Sequence, residues 1–341
     1  MLACLKKLHS TYDIELLVIR IPPSENAPFE ISQIEWINEL YDLNHLTAAE
    51  IQLTLEKFNP DALFMSGWFE DRYLRAARTM RKRGIPVIAG SDAQWTGSVK
   101  QHMAKLISRW YLKSAIDVLW IAGERQRQFA AKLGYKGADV WSGYYACDWD
   151  TFSEYYEPNI SAGFRHFLYV GRYIERKGLD TLIRAYQIYR DRLSHPWELV
   201  CFGAGELEHI LNDTDGVVNR GFVQPGKLPE MMSEASAFIL PSRKEPWGVV
   251  VQEAAATGLP LICSDACGSA VHLLIDGYNG YKFETGDYKH LADCMEQMSA
   301  NTDYTLTKMR KRSYELSKPY TPEIWARTLH DGVKSIINKS E

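Results

Sequence analysis

The 341-residue chain has few cysteines, and its six (Cys4, Cys147, Cys201, Cys263, Cys267 and Cys294) include no Cys-x-x-Cys pair. That spacing pattern gives no zinc or dithiol motif. Several lie in apolar runs such as ELVCFG and PLICSD, where a reduced cysteine packs as a small hydrophobe. No apolar run approaches the roughly 18 residues of a spanning helix. The N-terminal MLACLKKLHSTYDIELLVI lacks the basic, apolar and cleavable order of a signal peptide, so a cytoplasmic protein is expected. Neither sign of charge dominates: the formal net charge is -4, and with no long basic tail, nucleic acid is not an expected partner. Fixed short repeats and low-complexity tracts are absent as well.

What the chain does have is alternation. Apolar strand-like runs (IELLVIRI, DALFMSGW, IPVIAGS, DVLWIAG, then RHFLYVG, WELVCFG, SAFILPS and LPLICSD) are separated by helical patterns, the signature of parallel sheets covered by helices. The length suffices for two α/β domains, each with its own core. Between the fourth and fifth runs, YYACDWDTFSEYYEPNISAGF is aromatic, acidic and punctuated by Pro158 and Gly163, and reads as a connector. The expected division is residues 1–160 and 161–320. A last helix follows over 321–341, starting at Thr321-Pro322 with Ile324, Trp325, Leu329, Val333 and Ile336 apolar. It is expected to pack back on the N-terminal domain.

Chemistry concentrates in the second half. In EPWGVVVQEAAATGLP, Glu245 and Glu253 flank a Pro-Trp-Gly turn and an apolar run that reads as strand, loop, helix, strand. The helical neighbours of Glu253 are Val249, Val250, Ala256 and Thr257, so its carboxylate emerges among mostly apolar groups and needs a partner from the protein or a ligand. Glu245 sits in the loop at the carboxyl end of a strand, where open parallel sheets bind ligands and free helix-start amides attract anions. Earlier, YVGRYIERKGLDTLIRAY places Arg172 and Lys177 around a strand-to-helix loop after Gly171. At an effective dielectric of about 20, a cation 4 Å from a phosphate charge gives about 4 kcal/mol of gross attraction, against at most about 2 kcal/mol from a helix terminus. The same loop type recurs in CFGAGELEHIL, whose Gly203 and Gly205 allow a close approach to backbone.

Taken in order, G-R-x4-K-G, G-x-G-E-L, the E-x7-E stretch and GSAVHLLIDGYNGYKF resemble the C-terminal domain of the retaining GT-B glycosyltransferases of family 4, over residues of about 165 to 338. The resemblance implies two Rossmann-like α/β domains with parallel sheets facing a central cleft. It implies a UDP- or GDP-type nucleoside diphosphate sugar as donor substrate, a saccharide or lipid-linked acceptor, and no cofactor or metal. By the same resemblance, Arg172 and Lys177 neutralise the donor diphosphate, Glu245 contacts the donor sugar near the reacting carbon, and Glu253 holds the ribose hydroxyls. Gly248, Val249 and Val250 offer backbone amides, with Trp247, Gly171, Gly203 and Gly205 completing the donor side. A GT-B sugar-nucleotide epimerase and a non-catalytic sugar-nucleotide-binding protein are the alternatives.

The first half resembles the family less. Its opening helix-like MLACLKKLHS runs straight into IELLVIRI, where the family begins with a strand and a glycine-rich loop; a late start, a shortened chain or a branch that works without them are the readings. Ser91 aligns with a family histidine, leaving Asp92 and Gln94 as polar candidates, with Asp92 orienting a hydroxyl or serving as a helix N-cap. Trp68 and Glu70 in SGWFED are acceptor-side candidates. The acidic triplets at Asp148–Asp150 and Asp213–Asp215 do not follow suitable strands and are not expected to bind metal. Finally, SVKQHMAKLISRWYLKS carries Met103, Leu106, Ile107 and Trp110 on one side and Lys100, Lys105, Arg109 and Lys113 mostly elsewhere. Docking of that apolar side on the core is the expected reading; the alternative lays it on an anionic membrane.

Overall fold

The computed structural model describes residues 1–22, 34–158 and 165–339, apart from the Arg109 side chain; Gly163 of the connector lies outside them. The chain divides into two units, the first holding the N-terminal part through Ala146 together with the segment from Pro322, and the second running from Cys147 to Thr321. The division thus falls at Ala146, since Tyr144 and Ala146 are buried in the first unit's core, whereas Cys147 and Phe152 belong to the second unit's core.

In the first unit α1 (Leu2–Tyr12) leads into β1 (Leu17–Arg20), which pairs in parallel with β2 (Glu39–Asp42). A separate parallel sheet has the order β3 (Leu63–Met65), β4 (Val87–Ser91), β5 (Val118–Ile121) and β6 (Val140–Ser142). The helices between these strands are α2 (Ala48–Phe58), α3 (Asp71–Lys82), α4 (Val99–Tyr111) and α5 (Glu124–Lys132). β4 and β5 are buried along their whole length, as expected of strands covered on both faces.

The second unit opens with α6 (Trp149–Ser153) and contains one six-stranded parallel sheet. Along the chain its strands are β7 (His166–Val170), β8 (Glu198–Phe202), β9 (Val217–Asn219), β10 (Ala237–Leu240), β11 (Leu261–Ser264) and β12 (Gly280–Phe283). Across the sheet they run β12-β11-β10-β7-β8-β9. Order reverses beside β7, and the loops leaving β7 and β10 therefore emerge from neighbouring strands, which is where open α/β sheets place ligands. Its helices are α7 (Leu179–Arg192), α8 (His209–Asn212), α9 (Leu228–Ser233), α10 (Val249–Ala256), α11 (Ala270–Leu273), α12 (Tyr288–Ala300) and α13 (Asp303–Ser317).

The last helix, α14 (Pro322–Ile337), belongs to the first unit. Trp325 is buried there, donating its indole N–H to the Tyr144 carbonyl at 2.8 Å and stacking on Trp120 at 4.7 Å. α14 also meets α1, through the Tyr12–His330 ring stack and the Lys7–Glu323 ion pair.

One expectation is overturned. Met103, Leu106, Ile107 and Trp110 of α4 are exposed; the helix docks instead through Ala104, Ser108 and, just past its end, Leu112. Ser108 reaches the core because its hydroxyl donates to the Leu133 carbonyl at 3.2 Å. Among the described residues no helix is long and apolar enough to cross a membrane, and the six cysteines, all buried, form no disulfide.

Candidate active site

The loop after β7 begins at Gly171 and Arg172, passes through a short 3-10 turn at Glu175–Lys177, and enters α7 at Gly178. Gly178 has φ +70°, and a Cβ there would stand 2.1 Å from the Pro241 carbonyl oxygen, so the loop can lie against the end of β10 only with glycine at this point. Arg172 is exposed and has no ion pair among the described residues. Lys177 is held differently: its ammonium pairs with the Glu245 carboxylate, the two side chains being only 14% and 11% exposed.

Glu245 is in turn fixed by its own loop. The Ser242 hydroxyl donates to its carboxylate at 3.3 Å, and its backbone carbonyl accepts from Gly268 N–H at 2.9 Å. The loop after β11 continues the support: Ser269 N–H donates to the Trp247 carbonyl at 2.9 Å and the Ser269 hydroxyl to the Gly248 carbonyl at 3.1 Å. Arg243 ties the β10 loop to the β7 loop through ion pairs to Asp180 and Glu175, while its N–H donates to the Arg176 carbonyl at 2.9 Å. The sequence assigns no role to Arg243, Ser242, Gly268 or Ser269, because the loops they join are far apart in the chain and only the sheet order makes them neighbours.

Gly248, at φ +93°, turns the chain into α10, whose start at Val249 and Val250 has no side-chain cap. First-turn amides of that kind are available to an anion. Trp247 is 2% exposed and packs its ring with His272 and Tyr320, so it borders the turn with its backbone rather than with an open ring face. Further along α10, Glu253 makes no side-chain hydrogen bond or ion pair among the described residues, and burial pushes its carboxyl up to about 7.

The glycine pair after β8 approaches backbone closely, but the backbone is the protein's own. A Cβ on Gly203 would meet the Gly171 carbonyl oxygen at 1.9 Å, and one on Gly205 the Tyr173 carbonyl oxygen at 2.5 Å. The two loops are zipped by Tyr173 N–H to Ala204 carbonyl at 2.9 Å and Gly171 N–H to Phe202 carbonyl at 3.0 Å. These glycines therefore set the path of the Arg172 loop.

In the first unit, Asp92 follows β4 and accepts from the Tyr145 hydroxyl at 3.2 Å. It does not cap a helix, since α4 begins later and is capped by Ser98. The Gln94 carbonyl accepts from Gln101 at 2.6 Å, and Ser91 is buried. Trp68 packs partly against the core. Glu70 caps α3 and is paired with the Arg72 guanidinium at 2.8 Å; hydrogen bonds from Arg72 hold its carboxyl below its ordinary value. Arg72 is itself anchored on the Leu43 and Leu46 carbonyls, so Glu70 is committed within the protein. Of the acidic triplets, Asp215 pairs with Arg190, and no group of three or more His, Cys, Asp or Glu side chains among the described residues is arranged to hold a metal ion.

Residues 156–316 match the family model described as Glycosyl transferases group 1. A capsular polysaccharide biosynthesis glycosyltransferase, CapM, of Staphylococcus aureus is 27% identical over 179 residues, covering 51% of this chain and 47% of that protein; the match thus spans about half of the relative's length. Among solved structures, sucrose-phosphate synthase from Thermosynechococcus elongatus superposes with TM-score 0.77 at 16% identity, covering 98% of this chain and 92% of that one. HepE of Anabaena, in complex with UDP and glucose, superposes with TM-score 0.73 at 14% identity over 97% of this chain and 95% of its own. The chain therefore has the GT-B fold, and its residues 156–316 are similar to the glycosyl transferases group 1 domain.

Proposed function

We propose that this chain is a retaining, metal-independent glycosyltransferase that moves a sugar from a UDP- or GDP-linked donor to a hydroxyl of a saccharide or lipid-linked acceptor, in bacterial polysaccharide or glycolipid synthesis. The observation that carries this reading is the Lys177–Glu245 pair at the carboxyl ends of β7 and β10, beside the uncapped start of α10. A charged pair so little exposed costs desolvation unless its geometry is good, and here it joins a cation suited to phosphate with an acid suited to sugar hydroxyls. An arriving diphosphate competes for Lys177 and leaves Glu245 to accept from the donor sugar.

As the anomeric C–O bond breaks, negative charge grows on the leaving phosphate oxygen. Lys177 and the amides of Val249 and Val250 are fixed donors for that charge, which is transition-state stabilisation by a preorganised site, and the exposed Arg172 adds a second cation. The acceptor hydroxyl attacks from the face the phosphate leaves, its proton passing to the leaving phosphate oxygen, so configuration is retained. Glu253 accepts from the ribose hydroxyls. Asp92, Gln94 and Trp68 are the acceptor-side candidates, and Glu70 is assigned to capping α3.

The test is a thermal-shift series with UDP, GDP and ADP and their sugars. At about a hundred times the dissociation constant, the matching ligand should stabilise by roughly 2.7 kcal/mol, and the gain should shrink in Arg172→Ala. Donor turnover that yields a glycoside of unchanged anomeric configuration completes the assignment. A product with inverted configuration, or no nucleotide response at all, overturns it. The comparisons favour neither alternative: an epimerase would convert the donor sugar with no acceptor present, and a non-catalytic binder would respond to donor without turnover.

A further inference from the structure

Helix α4 is built the wrong way round for a core helix. At 100° per residue, Val99, Met103, Leu106, Ile107 and Trp110 share one face, and they are 81%, 55%, 64%, 50% and 74% exposed. The opposite face, Ala104 and Ser108 with Leu112 just beyond, is the one that docks. The apolar stripe is thus held outward by a helix that is itself secured, its C-terminal end tied to α3 by Arg78, which donates to the Tyr111 carbonyl at 3.2 Å and lies 4.7 Å from the Tyr111 ring centre. Nothing on the described surface of the first unit covers the stripe. Solvent does not favour such an arrangement, and exposed apolar faces of this kind mark interaction surfaces.

Charge says what kind of surface. From Ala93 to Ile116 the sequence contains no aspartate or glutamate, yet it carries Lys100, Lys105, Arg109 and Lys113. Lys100 lies at the edge of the stripe, by the same helical spacing, and is exposed, whereas Lys105 lies about 140° from the stripe's centre, toward the docking face. An apolar stripe with leucine and tryptophan, bordered by an exposed lysine and without acids, is the pattern of a helix lying in the plane of an anionic lipid surface. A second copy of the chain fits less well, because two such helices face to face would bring lysine against lysine. Phe69, exposed on the loop that enters α3, emerges at the same carboxyl end of the β3–β6 sheet as the start of α4.

We propose that the first unit docks on a bilayer bearing anionic lipids through the α4 stripe, with Trp110 and Leu106 inserted and Lys100 on headgroup phosphates, Lys113 being held by Asp139. This does not rest on the donor assignment, because binding to a bilayer needs no nucleotide. The experiment is co-sedimentation of the full chain with vesicles of equal parts phosphatidylglycerol and phosphatidylcholine, beside vesicles of phosphatidylcholine alone. Binding is expected to the anionic vesicles only and to weaken with salt. It should fall by more than tenfold in Leu106→Ser/Trp110→Ser, and by about fivefold in Lys100→Gln. Both variants alter exposed side chains, so their melting temperatures should match the parent chain and report an intact fold. No binding to anionic vesicles, or equal binding to both, overturns the proposal. So does light scattering that shows a concentration-dependent dimer, lost in Leu106→Ser/Trp110→Ser, since the stripe would then belong to a second copy.

Discussion

Glu253 offers the sharpest test of the site's electrostatics, because its carboxyl has been moved from an ordinary 4.5 to about 7 by burial without any compensating ion pair among the described residues. The sign follows from linkage. A group whose pKa is raised by folding binds its proton more tightly in the native state, so its contribution is complete below about 4.5 and is lost as pH rises toward 7. Moving a carboxyl that far corresponds to about 3 kcal/mol, an order-of-magnitude figure. In Glu253→Gln the titration is gone. For a domain of 150–250 residues, 1 kcal/mol moves a melting temperature by roughly 2–4 °C. The difference between Glu253→Gln and the parent chain should therefore grow in favour of the variant by roughly 6–12 °C between pH 4.5 and pH 8. Melting both proteins across that range gives the answer, and a difference that stays flat would refute the burial argument.

The same group should make donor binding depend on pH. Ribose hydroxyls donate to an ionised carboxylate, so binding draws on the fraction of protein in which Glu253 is charged. With a value of about 7, that fraction is about one-tenth at pH 6 and nine-tenths at pH 8. An apparent dissociation constant scales inversely with the competent fraction. UDP-glucose, whose diphosphate does not titrate in this range, should therefore bind about tenfold more weakly at pH 6 than at pH 8. Glu253→Gln should bind weakly at both. A parent chain with pH-independent affinity would detach Glu253 from the ribose.

Two further substitutions address the loops. Glu245→Gln keeps a hydrogen-bond acceptor beside Lys177 and should lower transfer by about a hundredfold or more, measured as donor turnover; a loss under tenfold would remove Glu245 from the reacting end of the donor. Glu245→Ala is less informative, because stripping Lys177 of its counter-charge costs about 3 kcal/mol when the pair is this buried. Gly203→Ala forces a Cβ to within 1.9 Å of the Gly171 carbonyl oxygen at φ +154°. It should cost at least about 2 kcal/mol, read as a lowered melting temperature, and a melt within 1 °C or so of the parent would show that the two loops are not so closely zipped.

Which parts of this molecule could be read from its residues follows a physical rule. All eight apolar runs contain strands, β1, β3, β4, β5, β7, β8, β10 and β11. The strands that gave no such run are β2, β6, β9 and β12, each at an edge of its sheet, although the edge strands β1 and β3 did give one. An edge strand is paired on one side and partly wet, so ELYD or VVN needs no continuous hydrophobic sequence. The reactive types were legible for a similar reason: a carboxylate such as Glu253 among valines and alanines contradicts its surroundings, and that contradiction is local. Arg243 contradicts nothing locally, because its partners Asp180 and Glu175 are brought to it by the order of β7 and β10. Taken singly, Lys177 and Glu245 each point to a ligand, and their attraction to one another follows only from the adjacency of β7 and β10. α4 marks the limit of periodicity itself. The stripe of Met103, Leu106, Ile107 and Trp110 is plain in the sequence, but the pattern identifies only an apolar face, and the side that docks was decided by the small residues Ala104 and Ser108, which let the helix approach the core closely while the larger side chains turn away from it.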